Sequence, residues 1–392
     1  MKRNRIVIAA AAALAVMSGG TAAGAAVLAG PIDSAGVIHG CYSRATATGS
    51  HAVVLQDAGR TCPRGSTPIS WNRSGPSAAG GLLPTQLLFG VGVPDVLSAA
   101  QYHFAGPAEV AFDGSHLWIT NSSANTVTEM NPSDGSVVRV LSGGSYGFND
   151  PQGMAFDGRH LWIVNESGDS ITEVNTFDGS LAHVLSGGSY GFNAPVRIAF
   201  DGKDMWVTNS GGSSVTEVNA ATRSAVQVLS ASGYRFAKPF GIAFDGVGHV
   251  WITNNAGGSV TEVNTSDGSL VRVFNGLFEF VGPAGIAFDG QHLWVADNGS
   301  GLVTEINVTD GSLVRAVNAN GNPQDVAFDG VHVWVTTFQG TVTEIDAATG
   351  AAVNTLNPAA YGFKDTAGIA FANNHLWIAD FKANTLTAIQ GP

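Results

Sequence analysis

Seven tryptophans recur at one position of a repeating phrase, and their spacing constrains the fold more than any other feature. Successive members are separated by 44, 44, 45, 43, 40 and 43 residues. A period of about 40–45 residues that holds several short strands is typical of β-propellers, in which each repeat forms one blade. The chain is therefore predicted to be all-β, a seven-bladed propeller of four-stranded blades. The tryptophans are Trp118, Trp162, Trp206, Trp251, Trp294, Trp334 and Trp377.

Each repeat divides into four strands, lettered A to D along the chain. In the second repeat they are predicted at Gly153–Phe156, His160–Val164, Ser170–Asn175 and Ser180–Leu185. The A–B turn is Asp-Gly in six repeats and Asn-Asn in the seventh, and the C–D turn is Asp-Gly in four. These residues tolerate the positive φ that a tight hairpin needs, so most blades carry two hairpin signals.

The last repeat stops after strand C, near Ile389. The missing strand D is found before the first repeat, because Gly92–Tyr102 aligns without gaps on Ser136–Tyr146. A strand at about residues 92–97 is therefore expected to pair with one near 385–389. The ring would then be closed by an N-terminal outer strand.

The N-terminal part predicts an exported protein. Residues 1–30 have a basic start, an apolar run of 12 residues and a small-residue cleavage zone, which together are typical of a secretory signal peptide. Residues 31–75 form a small predicted module, residues 76–90 a linker, and residues 91–392 the propeller.

The chain contains two cysteines, Cys41 and Cys62, and both lie in the small module. Outside the cell such a pair is more often a disulfide than two free thiols, so a Cys41–Cys62 disulfide is predicted.

Composition excludes some partners. The formal net charge is -12, and an acidic surface repels phosphate backbones, so no nucleic acid partner is expected. The apolar run near the N-terminus is too short to span a bilayer. A secreted or cell-envelope protein is predicted, without a membrane span and monomeric, whose partner is an unknown protein, glycan or small molecule.

Two repeated polar positions are interpreted as framework. A histidine stands two residues before the tryptophan in six repeats, and a glutamate recurs in strand C of six repeats. Ten residues after each glutamate comes a hydrogen-bond donor, which is the spacing of cross-strand neighbours. No catalytic or metal-ligating residue is predicted. The glutamates and their expected partners are Glu129 with Arg139, Glu173 with His183, Glu217 with Gln227, Glu262 with Arg272, Glu305 with Arg315, and Glu344 with Asn354.

A ligand site is predicted where the repeats disagree. One slot at the start of strand A is glycine in four blades and Glu109, Arg197 or Asp325 in the other three. Strand A is the innermost strand of a blade, so these charges are expected at the channel mouth. Replacing Arg197 or Asp325 by alanine is expected to leave stability nearly unchanged. Three further acidic residues are placed near the same mouth, namely Asp297, Asp380 and Glu166.

The consensus phrases GIAFDG, LWVTN and SVTEVN resemble the seven-bladed propellers of the NHL-repeat and virginiamycin B lyase-like type, over roughly residues 92–390. The resemblance implies the propeller fold. The lyase of this group is magnesium-dependent and uses His and Glu at the channel mouth, and no position of this sequence is matched to those residues. The segment from Gly36 to Pro76 resembles a small module of exported actinobacterial proteins.

Three functions remain open from the sequence. The first is a non-catalytic binding or interaction scaffold with its ligand at the channel mouth and no cofactor. The alternative is a metal-dependent lyase or hydrolase of the virginiamycin B lyase-like type, for which a divalent metal would sit at the mouth. The third is a structural component of the cell envelope, which an apolar outer rim would favour. The fold does not choose between them, because function depends on the site.

Overall fold

The computed structural model describes residues 37–43, 52–55, 66–72, 96–98, 100–230, 232–276 and 279–390. The chain divides into two compact units, Met1–Gly90 and Val91–Pro392. The first contains a three-stranded antiparallel sheet in which β1 (Val37–Ser43) lies between β2 (Ala52–Leu55) and β3 (Ser66–Asn72).

The predicted signal peptide at residues 1–30 and the linker at 76–90 lie outside the described residues. Cys62 lies outside them as well, so the disulfide with Cys41 stays a prediction.

The second unit is a seven-bladed propeller, which confirms the predicted fold class. Each blade is a four-stranded antiparallel sheet. The outer strand before the first blade is β4 (Val96–Leu97). Blade 1 holds β5 (Pro107–Phe112), β6 (Leu117–Asn121), β7 (Thr126–Met130) and β8 (Val137–Leu141); blade 2 holds β9 (Pro151–Phe156), β10 (His160–Asn165), β11 (Ser170–Asn175) and β12 (Leu181–Ser186); blade 3 holds β13 (Pro195–Phe200), β14 (Asp204–Asn209), β15 (Ser214–Asn219) and β16 (Ala225–Leu229).

The remaining blades repeat this pattern. Blade 4 holds β17 (Pro239–Phe244), β18 (His249–Asn254), β19 (Ser259–Asn264) and β20 (Leu270–Phe274); blade 5 holds β21 (Pro283–Phe288), β22 (His292–Asp297), β23 (Leu302–Asn307) and β24 (Leu313–Asn318); blade 6 holds β25 (Pro323–Phe328), β26 (His332–Thr337), β27 (Val342–Asp346) and β28 (Ala352–Leu356); blade 7 holds β29 (Thr366–Ala372), β30 (His375–Asp380) and β31 (Thr385–Gln390).

Strand A of every blade contacts strand A of the next blade, and the last contact joins β29 of blade 7 to β5 of blade 1. The fourth strand of blade 7 is β4, in which Leu97 pairs with Leu386 and Val96 pairs with Thr387. Residues 92–95 of the longer strand predicted there lie outside the described residues. The seventh blade thus combines strands from the two ends of the propeller unit.

Among the residues that the structure describes, helical structure is limited to short connections. They are two 3-10 turns, Ala100–Tyr102 and Ser232–Tyr234, and the four-residue helix α1 (Pro358–Tyr361). Among the described residues, none of the helical segments has the length and apolarity needed to cross a membrane.

Turn chemistry agrees with the sequence. The glycine of every A–B Asp-Gly turn has a positive φ, for example 94° at Gly114 and 101° at Gly202. In blade 7 the substitutes Asn373 and Asn374 adopt φ values of 50° and 61°. These left-handed conformations cost glycine and asparagine little, so the predicted hairpins are confirmed.

The tryptophans form the contacts between blades. Trp206 of blade 3 is fully buried and packs with Val250 and Ile252 of blade 4. Trp377 of blade 7 packs in the same way with Leu117 and Ile119 of blade 1. A large aromatic at each interface buries much apolar area, so the tryptophans are framework residues, as predicted.

Candidate ligand site at the channel mouth

A β-bulge builds the slot in which the repeats differ. The pairing of strands A and B shifts register at its third residue, for example between Pro195 and Arg197 in blade 3. The slot residue keeps a partner, because Arg197 N–H donates to the Thr208 hydroxyl at 3.2 Å. Asp325 N–H donates to the Thr336 hydroxyl at the same distance, 3.2 Å. A bulge redirects the side chain that it carries, and here the strand concerned is the innermost one.

Glycines in neighbouring blades make room for the three charged side chains. A Cβ at Gly153 would lie 2.9 Å from the Cα of Arg197. A Cβ at Gly285 would lie 2.5 Å from Oδ1 of Asp325. At Gly368 the nearest Glu109 atom would be its Cα, at 2.7 Å. Each charged residue of this slot therefore follows a blade that has glycine at the same slot. Glycine is required there because the inner strands lie too close together for a second side chain.

The three charges form one cluster. Arg197 reaches past blade 2, so that its Nε lies 3.2 Å from Oε2 of Glu109 in blade 1. The Arg197 guanidinium also lies over the Phe240 ring, 4.8 Å from its centroid. Asp325 interacts electrostatically with both partners. The predicted grouping of Glu109, Arg197 and Asp325 is thus observed, although their binding role stays a prediction.

Burial dominates the protonation of this cluster. Desolvation raises the pKa of Glu109 to about 7, Arg197 opposes the shift, and the Asp325 charge adds to it. Desolvation also raises the pKa of Asp325, and Arg197 again opposes it. Two carboxylates beside one guanidinium cannot both be compensated by it.

A cavity of about 240 Å³ opens beside the cluster. Its walls are formed by blades 3 to 7. Each of these blades contributes the slot residue of strand A, the residue before that slot, or a residue of the B–C turn. The walls include two phenylalanines and three side-chain amides, with small alanines between them. The lining residues are Arg197, Phe240, Asn255, Ala284, Asn298, Gln324, Asp325, Phe338 and Ala367. Sequence analysis did not single out the amides, because only their position beside the slot makes them notable.

Two further predicted site residues, Asp297 and Asp380, do not line this cavity. Asp297 is buried, and its two carboxylate oxygens each lie 3.0 Å from the N–H of Val281. Asp380 is also buried and accepts the N–H of Lys364 at 2.6 Å and of Ala383 at 2.8 Å. Both carboxylates accept hydrogen bonds from the loop before strand A and from the B–C turn.

Glu166 lies near the cluster without lining the cavity. It is partly buried, and desolvation raises its pKa, with a further increase from the Asp150 charge. Arg197 opposes this shift, which places Glu166 within electrostatic reach of the guanidinium.

A second candidate site lies at the A–B turns and is a framework network. In blade 5, Trp294 Nε1–H donates to Asp289 Oδ2 at 2.8 Å, and His292 Nδ1 lies 3.2 Å from Glu305 Oε1. Arg315 Nε lies 2.7 Å from the other oxygen of Glu305. The predicted pairing of each strand-C glutamate with the donor across the C–D hairpin is confirmed in register in all six blades.

Sequence analysis missed that the repeat histidine joins the same glutamate. Three Asp–His–Glu groups bring their ligand atoms within 4.8 Å of one another, which resembles a metal site. In each group the glutamate lies beside an arginine, and the aspartate accepts the indole N–H of the repeat tryptophan. They are Asp157, His160 and Glu173; Asp245, His249 and Glu262; and Asp289, His292 and Glu305.

A larger cavity, of about 460 Å³, lies beside the A–B turns of blades 4 and 5. Its titratable lining residues are Asp245 and His292, and both belong to the framework network. The mouth cavity is therefore the stronger candidate.

No protein-family model matches the chain, and no curated protein sequence matches it. Many solved structures are similar in fold, and three of them illustrate the likeness. Hydrazine synthase from Kuenenia stuttgartiensis is 19% identical over 73% of this chain and 96% of that chain, with a TM-score of 0.61. A catalytically inactive virginiamycin B lyase from Staphylococcus aureus, with quinupristin, is 18% identical over 75% and 98%, with a TM-score of 0.63. The selenomethionine form of that lyase is 19% identical over 75% and 98%, with a TM-score of 0.60. At these identities the likeness establishes the propeller fold and no activity.

Proposed function

We propose that this protein is an exported, non-catalytic binding propeller that holds a small molecule, or a side chain of a partner, in the mouth cavity. The observation that carries the proposal is the 240 Å³ cavity beside the slot where the repeats differ. Copies of a framework position share the same structural demands, so residues that depart from the repeat and line one concavity are candidates for function.

The chemistry of the cavity favours binding without a metal. A divalent cation needs several oxygen or nitrogen ligands free of competing cations. Here the Arg197 guanidinium already lies 3.2 Å from Glu109 and interacts with Asp325. The residues that line the cavity include no histidine. The lining therefore offers no histidine ligand and holds a cation beside its carboxyl group, so we propose a site without the metal of the lyase-like alternative.

Export is supported by the predicted leader and by the cysteine pair of the N-terminal module. We therefore place the binding site outside the cytoplasm, in the secreted protein or at the cell envelope.

One observation favours a structural function in the envelope as a second candidate. The outer strands carry partly exposed apolar side chains, with Val138 at 41%, Val226 at 50% and Val353 at 55% exposure. Isolated exposed valines are common on soluble proteins, whereas a continuous apolar rim would suit attachment to another surface. Binding to isolated cell walls that survives saturation of the mouth cavity would support this candidate.

The proposal is tested by soaking crystals in a library of amines, short glycans and small peptides, followed by calorimetry of each ligand that is found. Asn298→Ala and Gln324→Ala remove polar groups of the mouth cavity and are expected to weaken binding. Gln291→Ala, in the larger cavity, is the matched control and is expected to have no effect. Ligands that bind equally well to all three variants would refute the assignment.

A further inference from the structure

We propose that the mouth cavity recognises a primary ammonium group carried on an apolar stem. This inference rests on the proposed function and names the ligand class for that site. It follows from the orientation of the amides, the charge of the cluster and the apolar walls.

Each amide of the cavity donates within the protein and presents its carbonyl oxygen as an acceptor. Asn255 Nδ2 donates to the carbonyl of Gly282 at 3.2 Å, and Asn298 Nδ2 donates to the carbonyl of Pro323 at 3.3 Å. Gln324 Nε2 donates to a carboxylate oxygen of Asp365 at 2.6 Å. Within the part of the chain that the structure describes, no donor bonds the three amide carbonyl oxygens. The cavity therefore offers acceptors to a ligand rich in N–H donors.

A carboxyl group that can ionise, that of Asp325, lies beside these oxygens. Arg197, the cation that lines the cavity, is committed to Glu109 on one side and to the Phe240 ring on another. Desolvation raises the pKa of Asp325, whereas backbone N–H groups, including that of Val326 at 2.9 Å, favour its ionised form. A bound ammonium group would favour the ionised form further. A carboxylate among amide oxygens favours a cationic donor, because charge-assisted hydrogen bonds are about twice as strong as neutral ones.

The remaining walls suit a hydrocarbon stem. Phe338 is 45% exposed at its B–C turn, and Phe240, Ala284 and Ala367 complete the apolar part of the lining. An aromatic face also attracts an ammonium group directly. A slender alkylammonium fits these walls, whereas the volume of about 240 Å³ is small for a folded macrocycle.

The same group occurs on free diamines and on the lysine side chain of a peptide, and the test separates these sources. Calorimetry at pH 8 is carried out on the full-length protein with 1,4-diaminobutane and with its neutral isostere 1,4-butanediol. A second pair is the blocked tripeptide acetyl-Ala-Lys-Ala-amide and its norleucine analogue. We expect an amine of at least one pair to bind, and its neutral counterpart to bind at least about tenfold more weakly. The pair that binds identifies the source.

Variants connect the binding to the cavity. Asp325→Asn is expected to weaken the amine at least about tenfold, and Asn298→Ala tests the same site without changing a charge. Gln291→Ala is the control, and circular dichroism checks that each variant is folded. Equal binding of amine and neutral isostere, or amine binding unaffected by both cavity variants, would overturn the inference. If a neutral ligand binds and Asn298→Ala abolishes that binding, the proposed function holds and the ammonium inference fails. If no ligand binds in either experiment, both fail.

Discussion

Replacing Arg197 by methionine tests the structure of the channel cluster directly. The substitution keeps an apolar stem near Phe240 and removes the guanidinium whose Nε lies 3.2 Å from Glu109. It leaves two carboxylates, Glu109 and Asp325, in a desolvated site without the cation that faces them both. The sequence predicted almost no effect of such a change on stability, and the observed pairing leads us to expect a large one.

The magnitude follows from burial and pH. Breaking a buried ion pair costs about 3–5 kcal/mol, and the 12% and 17% exposure of the Glu109 and Arg197 side chains points to about 3 kcal/mol at the lower end of that range. The pKa of Glu109 is about 7 in the folded protein, above its ordinary value of 4.5. The folded state therefore holds the proton more tightly, and stability falls as pH rises from about 4.5 to about 7. Without Arg197 the pKa is higher still, so the fall continues above pH 7.

We therefore expect Arg197→Met to destabilise the protein by about 3 kcal/mol at pH 8 and by much less at pH 5, where Glu109 is protonated. Urea unfolding followed by tryptophan fluorescence at the two pH values measures the difference. The double variant Glu109→Gln, Arg197→Met should recover most of the loss at pH 8. Arg159→Met, at an exposed arginine, is the control and should change stability little. An equal loss at both pH values, or no recovery in the double variant, would refute the reasoning.

Three further predictions concern the framework. Trp206→Ala should cost about 3–5 kcal/mol in urea unfolding because it empties the contact between blades 3 and 4, and a loss below 1 kcal/mol would contradict the packing argument. Deleting residues 31–98 removes β4 and exposes the edge of blade 7, so we expect aggregation in light scattering. Deleting residues 31–80 keeps β4 and should leave a monomer. A stable monomer after the longer deletion would show that β4 is dispensable. Thiol labelling of the secreted protein should modify neither Cys41 nor Cys62 unless a reductant is present, and two reactive thiols in the untreated protein would exclude the disulfide.

The sequence by itself determined the propeller, because the information for it is local and periodic. The tryptophan spacing, the Asp-Gly turns and the alternation within each strand specify one blade, and repetition specifies the ring. The glutamate pairs across the C–D hairpin were also predictable, since register within a hairpin fixes which side chains are neighbours.

The site was predictable only in part, because its contacts join residues that are distant in sequence. Asp325 and Asp297 are the same residue type at the mouth end of neighbouring blades, yet Asp325 lines the cavity and Asp297 is buried against Val281. A bulge in strand A carries the first, and a backbone donor of the preceding loop holds the second. Arg197 meets Glu109 across an intervening blade, where the glycine at the slot leaves space. Closure of the ring sets these distances, and no local sequence pattern encodes them, so only the tertiary structure decides which charges face the channel.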